Sequence, residues 1–413
     1  MSENEELKID NEFFDELIKD TNFVKADTGS LMNSRMKVTT PLYVINCIYG
    51  GGVPLGIISE ISGPPASGKS TFSYQCMGNY QREYPDGVAV IYDMESSMDN
   101  SRLKALGVNT DKLLRLPATT LEEAFSSMFK MFTKLEKLIE KYPNISSFQI
   151  YDTISAGGTN KQHQATEGGN SAFGVGSMME SPRIIKQNLM NVFPYLEKFP
   201  VFIGLINQVF MQGIGGYAPK AASGGGFGLK HACHSHIQFG SNTDVYEKGF
   251  LIGTESKVKL EKSKLSPKFV DIPCYIDVTR GGRIDEIDSF VRYLTNPNVN
   301  IVQIGSWYNI KETVKIMTER YPVLETKSEI QEFANKNIRK NDFYKLCHDN
   351  KDLLNFLQIR LIDFIDDMYP MQRDINDEYQ KKLISECKYF DKPLSEESNT
   401  EEVLDALDKE LNQ

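Results

Sequence analysis

An eight-residue run, Gly63-Pro64-Pro65-Ala66-Ser67-Gly68-Lys69-Ser70, constrains this chain more than any other feature. It fits the phosphate-loop pattern G-x-x-x-x-G-K-[ST] without exception. The apolar residues 55–61 before it read as a strand. Residues 71–84 after it read as a helix with Phe72, Cys76 and Tyr80 on one face. The glycines let the backbone curl so that several N–H groups point at one spot, and the helix N-terminus adds partial positive charge there. In that geometry Lys69 reaches the β- and γ-phosphates of a nucleotide, and the Ser70 hydroxyl binds Mg²⁺. Thr71, the next residue on the helix, belongs with this cradle.

From there strands and helices alternate, which predicts an α/β fold with an open, mostly parallel twisted sheet. Residues 88–92 form a continuous apolar run, as a doubly covered strand requires. Residues 120–142 read as a helix, with Thr120 and Glu123 as a capping box and Phe125, Met128, Phe129, Phe132, Leu135 and Ile139 as its core stripe. Residues 147–151 and 201–206 read as strands, and 181–199 as a helix. Strands and turns continue to residue 278, and residues 285–372 are mostly helical.

The domain boundaries follow from these shifts. Residues 1–39 are an N-terminal appendage. In it Phe13, Phe14, Leu17 and Ile18 make a short amphipathic helix, too short to stand alone, that serves oligomerisation or packs on the chain's own core. Residues 40–284 are the α/β core that carries the phosphate loop, 285–373 a small C-terminal domain, and 374–413 an acidic tail. The tail carries a net charge of −7, against −3 for everything before it. Such a tail is either a solvated end or a competitor with nucleic-acid phosphate for basic loops.

In open sheets of this kind ligands sit beyond the carboxyl ends of the strands. Three polar groups fall at three such ends: Glu95, Asp152 and Gln208. Beside a bound triphosphate each has a use. Asp152 holds the Mg²⁺ shell, directly or through water. Glu95 accepts a proton from the attacking water. Gln208 hydrogen-bonds the γ-phosphate and reports its presence. The plainer alternative is that these groups only cap the loops that follow.

Two long Gly-rich stretches, 156–176 and 211–226, follow two of these strand ends, and long loops in a compact domain are usually functional or disordered. Basic and aromatic residues in or beside them suit a nucleic-acid strand passing close to the main chain: Lys161 and Phe173 for the first; Phe210, Lys220 and Lys230 for the second. The overall net charge of −10 excludes a globally electrostatic nucleic-acid binder and leaves only local basic loops. No apolar run is long enough to span a membrane, and the acidic N-terminus lacks a signal core, so a cytoplasmic or nucleoid-associated protein that is not secreted is expected. Six scattered cysteines with no C-x-x-C pair suggest reduced thiols. Cys233 among His231, His234 and His236 has no further cluster to complete a four-ligand metal site.

Several stretches together resemble the RecA-like recombinases, and within them the UvsX recombinases of T-even-like phages. Residues 51–61 with the phosphate loop resemble that family's opening. Tyr92-Asp93-Met94-Glu95 resembles the segment with the catalytic glutamate. Gly224-Gly225-Gly226-Phe227-Gly228-Leu229-Lys230 resembles the end of a second DNA-binding loop, and through that likeness Gly225 and Gly226 are also candidate DNA contacts. Val258 to Lys264 resembles a strand carrying two lysines, and Gly305-Ser306-Trp307-Tyr308 a downstream signature. The likeness covers residues 40–310. It implies a RecA-like P-loop ATPase core, ATP and Mg²⁺ as cofactors, and the roles given above for Lys69, Ser70, Glu95, Asp152 and Gln208. It also implies that Lys262 and Lys264 approach the γ-phosphate from a neighbouring subunit. Arg102 stands where the family often places a tyrosine against adenine; a guanidinium also stacks on rings. The implied activity is a DNA-dependent ATPase recombinase. It forms helical filaments on single-stranded DNA and pairs that strand with homologous duplex in recombination, repair and replication. Single-strand-binding and mediator proteins are implied as further partners. A hexameric helicase motor and a regulatory ATPase without DNA binding remain as alternatives.

Overall fold

The computed structural model describes residues 36–96, 98–162, 180–212, 220–223, 226–305 and 307–390, together with residue 19. The helix expected around Phe13 to Ile18 and the chain beyond residue 390 lie outside the described residues.

Short apolar runs become buried strands. β1 (Lys37–Val38) and β2 (Val53–Pro54) pair antiparallel on either side of helix α1 (Tyr43–Ile48). β3 (Ile57–Gly63), buried at every position, leads into α2 (Lys69–Glu83). There follow β4 (Val88–Asp93), α3 (Asn100–Ala105), β5 (Leu113–Pro117), α4 (Leu121–Leu138), β6 (Ser147–Asp152), α5 (Glu180–Leu196) and β7 (Val201–Gln212). Then come β8 (Lys220–Ser223), α6 (Gly226–Ala232), β9 (Ser235–Phe239), β10 (Thr243–Glu247), β11 (Phe250–Ser263), β12 (Phe269–Asp277) and β13 (Arg283–Ile284). The sheet runs β13-β12-β11-β9-β3-β7-β6-β4-β5, with β10 beside β11 and β8 beside β7. The strands from β9 to β5 in that order are all parallel. This is the expected α/β architecture.

Strand alternation deals successive side chains to two cores. Ala89 and Ile91 of β4 join the cluster under α2, with Phe72, Met77 and Tyr80. Val90 and Tyr92 join the cluster under α4 and α5, with Phe125, Met128, Phe132, Leu189 and Val192. Helix α4 starts where its cap predicts: Thr120 Oγ1 accepts from the Glu123 N–H at 3.2 Å. The return arm of the box lands one residue early, because Glu123 Oε2 accepts from the Thr119 N–H at 3.0 Å rather than from Thr120. The helix also stops at Leu138, short of residue 142.

After α7 (Glu286–Leu294) and the two-stranded pair β14 (Gln303–Ile304) and β15 (Tyr308–Asn309), the chain is helical: α8 (Lys311–Arg320), α9 (Ser328–Ala334), α10 (Lys340–Asp349), α11 (Lys351–Met368) and α12 (Arg373–Glu386). Their apolar residues, Phe356, Ile359, Ile362 and Leu383 among them, share one continuous cluster with α1, α2 and β12. Helix α12 occupies the start of the segment read as an acidic tail, and Tyr389 and Phe390 beyond it are buried. The first part of that segment, residues 374–390, is therefore packed chain rather than a tail. The reason is that Asn376, Gln380 and Leu383 give this charged stretch one face that buries.

Polar groups lie inside this helical region. Asp363 and Asp366 on α11 are 1% and 3% exposed. Tyr321 Oη and Gln380 Nε2 donate to Asp363 Oδ1 at 3.1 and 2.8 Å, and Arg320 Nε stands 3.3 Å from it. Asn376 Nδ2 donates to Asp366 Oδ1 at 2.8 Å. Burial pushes both carboxyls up to about 6. No helix among the described residues is long and apolar enough to cross a membrane.

Candidate active site

The phosphate loop turns from β3 into α2. Gly68 holds φ at 100°, a left-handed conformation that favours glycine. Two side chains from the strands beside β3, one from the turn after β9 and one from β11, steady the loop. Asn242 Nδ2 donates to the Ala66 carbonyl, and Ser256 Oγ donates to the Ser67 carbonyl at 3.3 Å. Lys69 is buried, with its ammonium curled back on the loop and donating to the Pro64 carbonyl at 2.6 Å. Burial lowers its pKa, and the charges of Asp152 and Glu95 oppose that shift.

Register brings the strand-end groups to this loop. Gly63 of β3 stands opposite Gln208 of β7, and Asp93 of β4 opposite Asp152 of β6. Asp152 is 7% exposed, and burial raises its pKa. Hydrogen bonds from Tyr74 and Ser70 pull the other way, while the charges of Glu95 and Asp93 add to the rise. Glu95 is exposed beyond the end of β4. Its Oε1 accepts from Thr153 Oγ1 at 2.7 Å and from Gln208 Nε2 at 3.3 Å. Lys69, Ser70, Glu95, Asp152 and Gln208 thus form one cluster. Hydroxyl and carboxylate oxygens are the donor set a hard divalent cation takes, and the loop with its ammonium suits a polyphosphate.

Other expected site residues lie elsewhere. Arg102 Nη2 donates to Thr71 Oγ1 at 3.1 Å and to the Gly282 carbonyl at 2.8 Å, and Nη1 donates to the Gly281 carbonyl. It ties the start of α2 to the turn after β12. Lys262 pairs in register with His236 on β9, which is itself level with Glu60 of β3. That is three residues before Gly63, or about 10 Å along the sheet at about 3.3 Å per residue. Lys264 follows two residues further away, its N–H bonded to the His234 carbonyl. The two lysines therefore sit away from their own phosphate loop. Lys262 Nζ donates to the Lys230 carbonyl at 2.6 Å.

Among the candidate DNA contacts, Lys161 is ion-paired with Glu180 at 2.8 Å, and Lys230 is exposed on α6, which Gly226 opens. The strand expected to end at residue 206 continues as β7 through Gln212. It pairs antiparallel with β8, placing Phe210 opposite Ala222 and Gln212 opposite Lys220. Part of the stretch read as a Gly-rich loop is thus a hairpin; Val209, Phe210 and Met211 favour strand, and pairing satisfies their backbone groups. Phe173 and Gly225 lie outside the described residues. His234, considered above beside Cys233, accepts from the Ile58 N–H at 3.2 Å through Nδ1. Burial and the neighbouring lysine charges lower its pKa to about 4, so it is a neutral structural acceptor.

Sequence reasoning missed Tyr74, Thr153, Asn242, Ser256 and the turn at Gly281-Gly282. Only Tyr74 carried a signal: it lies four residues after Ser70, on the same face of the helix.

Comparison with known proteins places the chain in a family. The family profile described as the RecA N-terminal domain matches residues 35–282. Over 316 residues the chain is 28% identical to Protein RecA of Borreliella burgdorferi (strain ZS7), covering 74% of this chain and 80% of that protein. Protein RecA of Sulfurovum sp. (strain NBC37-1) is 27% identical over 290 residues, covering 68% and 78%. That of Zymomonas mobilis subsp. mobilis is 26% identical over 299 residues, covering 70% and 77%. With more than half its length matched and a phosphate loop set in a parallel sheet, the chain belongs to the RecA family.

Proposed function

We propose that this chain is a DNA-dependent ATPase recombinase. In this reading it polymerises as a helical filament on single-stranded DNA and pairs that strand with homologous duplex. The observation that carries the reading is the joining of Lys69, Ser70, Asp152, Glu95 and Gln208 beyond the carboxyl ends of β3, β4 and β6, with Gln208 reaching them from within β7 opposite Gly63. Lys69 and the loop N–H groups bind the β- and γ-phosphates of ATP. Ser70 and Asp152 hold Mg²⁺, which neutralises charge on the phosphate oxygens. Glu95 takes the proton of the attacking water. Gln208 contacts the γ-phosphate and carries its presence into the β7–β8 hairpin, where DNA binds. Arg102 and the Gly281-Gly282 turn form the wall against the base.

Lys262 and Lys264 complete the site of a neighbouring subunit; their distance from their own phosphate loop supports this. The finer likeness to phage UvsX recombinases rests on the sequence stretches at residues 51–61, 92–95, 224–230 and 258–264. Duplex pairing then follows base complementarity, so the protein needs no sequence code. Electron microscopy with ATP and single-stranded DNA, alongside hydrolysis assays with and without that DNA, tests the proposal. Filaments and DNA-stimulated hydrolysis support it. Closed rings indicate a helicase motor, and indifference to DNA a regulatory ATPase.

A further inference from the structure

The Asp152 carboxylate has two hydroxyl partners, and they come from consecutive turns of one helix. Ser70 and Tyr74 are four residues apart on α2, so both face β6. Ser70 donates to the carboxylate, and Tyr74 Oη donates to Oδ2. Tyr74 is itself buried, 7% exposed. Its phenolic O–H is the donor of that bond and the carboxylate oxygen the acceptor. A serine oxygen that donates its proton keeps lone pairs for a cation. A phenol locked on Oδ2 leaves the other carboxylate oxygen in a fixed direction.

We propose that Tyr74 is a positioning residue for the divalent cation of this site. It holds the buried Asp152 carboxylate in one orientation, so that the carboxylate and Ser70 present their oxygens to the metal's coordination shell together. The proposal rests on the nucleotide-site reading above. It adds a residue outside the phosphate-loop pattern, whose chemistry requires nothing at that position. Partners that orient a metal ligand typically change metal affinity by roughly 10–100-fold when removed.

The test uses the full chain and a fluorescent non-hydrolysable ATP analogue titrated with Mg²⁺. Tyr74→Phe should raise the Mg²⁺ midpoint by about 10–100-fold, while analogue affinity in EDTA stays at the wild-type value. In an Asp152→Asn background the same change should have no further effect, since Tyr74 acts only through Asp152. Tyr74→Met fills the space without a donor and replaces the phenyl variant should that fail to fold. A wild-type Mg²⁺ midpoint in the folded variant overturns the proposal. So does an equal loss of analogue binding in EDTA, or a further loss added to that of Asp152→Asn. Wild-type protein whose analogue binding ignores Mg²⁺ would instead sink the nucleotide-site reading, and this proposal with it.

Discussion

Gln208 donates its side-chain amide to Glu95 Oε1 at 3.3 Å, the same oxygen that accepts from Thr153 at 2.7 Å. The proposed γ-phosphate sensor and the proposed base are thus in contact. In the proposed mechanism Gln208 leaves Glu95 when it turns to a γ-phosphate, so that sensing the phosphate and freeing that carboxylate oxygen are one side-chain movement.

Gln208→Ala should fold, since it removes a hydrogen bond and little packing. It should lose the dependence of DNA affinity on nucleotide state, a coupling of about 1–3 kcal/mol in such switches. The measurement is single-stranded DNA affinity with a non-hydrolysable ATP analogue and with ADP, in both proteins. A variant that keeps the full wild-type ratio removes Gln208 from the switch and moves the signal to Lys262, Lys264 or the subunit interface.

Glu95→Gln should bind ATP normally and hydrolyse it about 10²–10⁴-fold more slowly, because the base is lost and the contacts from Thr153 and Gln208 are largely isosteric. Single-turnover hydrolysis beside equilibrium nucleotide binding separates the two effects. Equal losses in both would make Glu95 a structural residue.

Arg102→Ala removes the ties to Thr71, Gly281 and Gly282. Each such bond is worth about 0.5–1.5 kcal/mol net, so nucleotide affinity should fall by about one order of magnitude while turnover at saturation changes little. Steady-state kinetics with ATP and with GTP provide the check. An unchanged KM for both nucleotides would show that this wall does not touch the base.

The pH dependence of stability has a definite sign. Burial raises Asp363 and Asp366 to about 6, above the ordinary value of 3.8. A group whose folded-state pKa is raised contributes stability in full below its unfolded value and loses it as pH rises through the folded value. The helical region should therefore weaken between pH 4 and pH 7, by roughly 1–3 kcal/mol for each group. Asp363→Asn should flatten part of that slope, read as thermal midpoints across this range. A parallel slope in the variant would show that Asp363 does not titrate there.

Much of the site was legible because its signals are local. The phosphate loop needs its glycines and lysine within eight residues, and apolar runs of strand length located Glu95, Asp152 and Gln208 at their ends. What was not legible depends on pairing between distant segments. Lys262 lies level with Glu60 only through the registers of β11 with β9 and β9 with β3. β7 continues past Gln208 only because β8 is there to pair with it. The fixing of the phosphate loop by Asn242 and Ser256 depends on the same kind of placement. Helix α12 was hidden by its charge, since the eye follows its carboxylates rather than the few residues that bury.

The proposed service of Lys262 and Lys264 to a neighbouring subunit has an arithmetic consequence for assemblies. A chain that offers its lysines only to a neighbour owns half of each of two sites. In an open string of such chains one end always displays a nucleotide cradle lacking its lysines, and the other end displays lysines with nothing to serve. Complete sites number one fewer than the chains, whereas in a closed ring the two numbers are equal. Hydrolysis per chain would then climb with the length of an open assembly and level off. A monomer would be nearly silent, and every break in a filament would cost one active site.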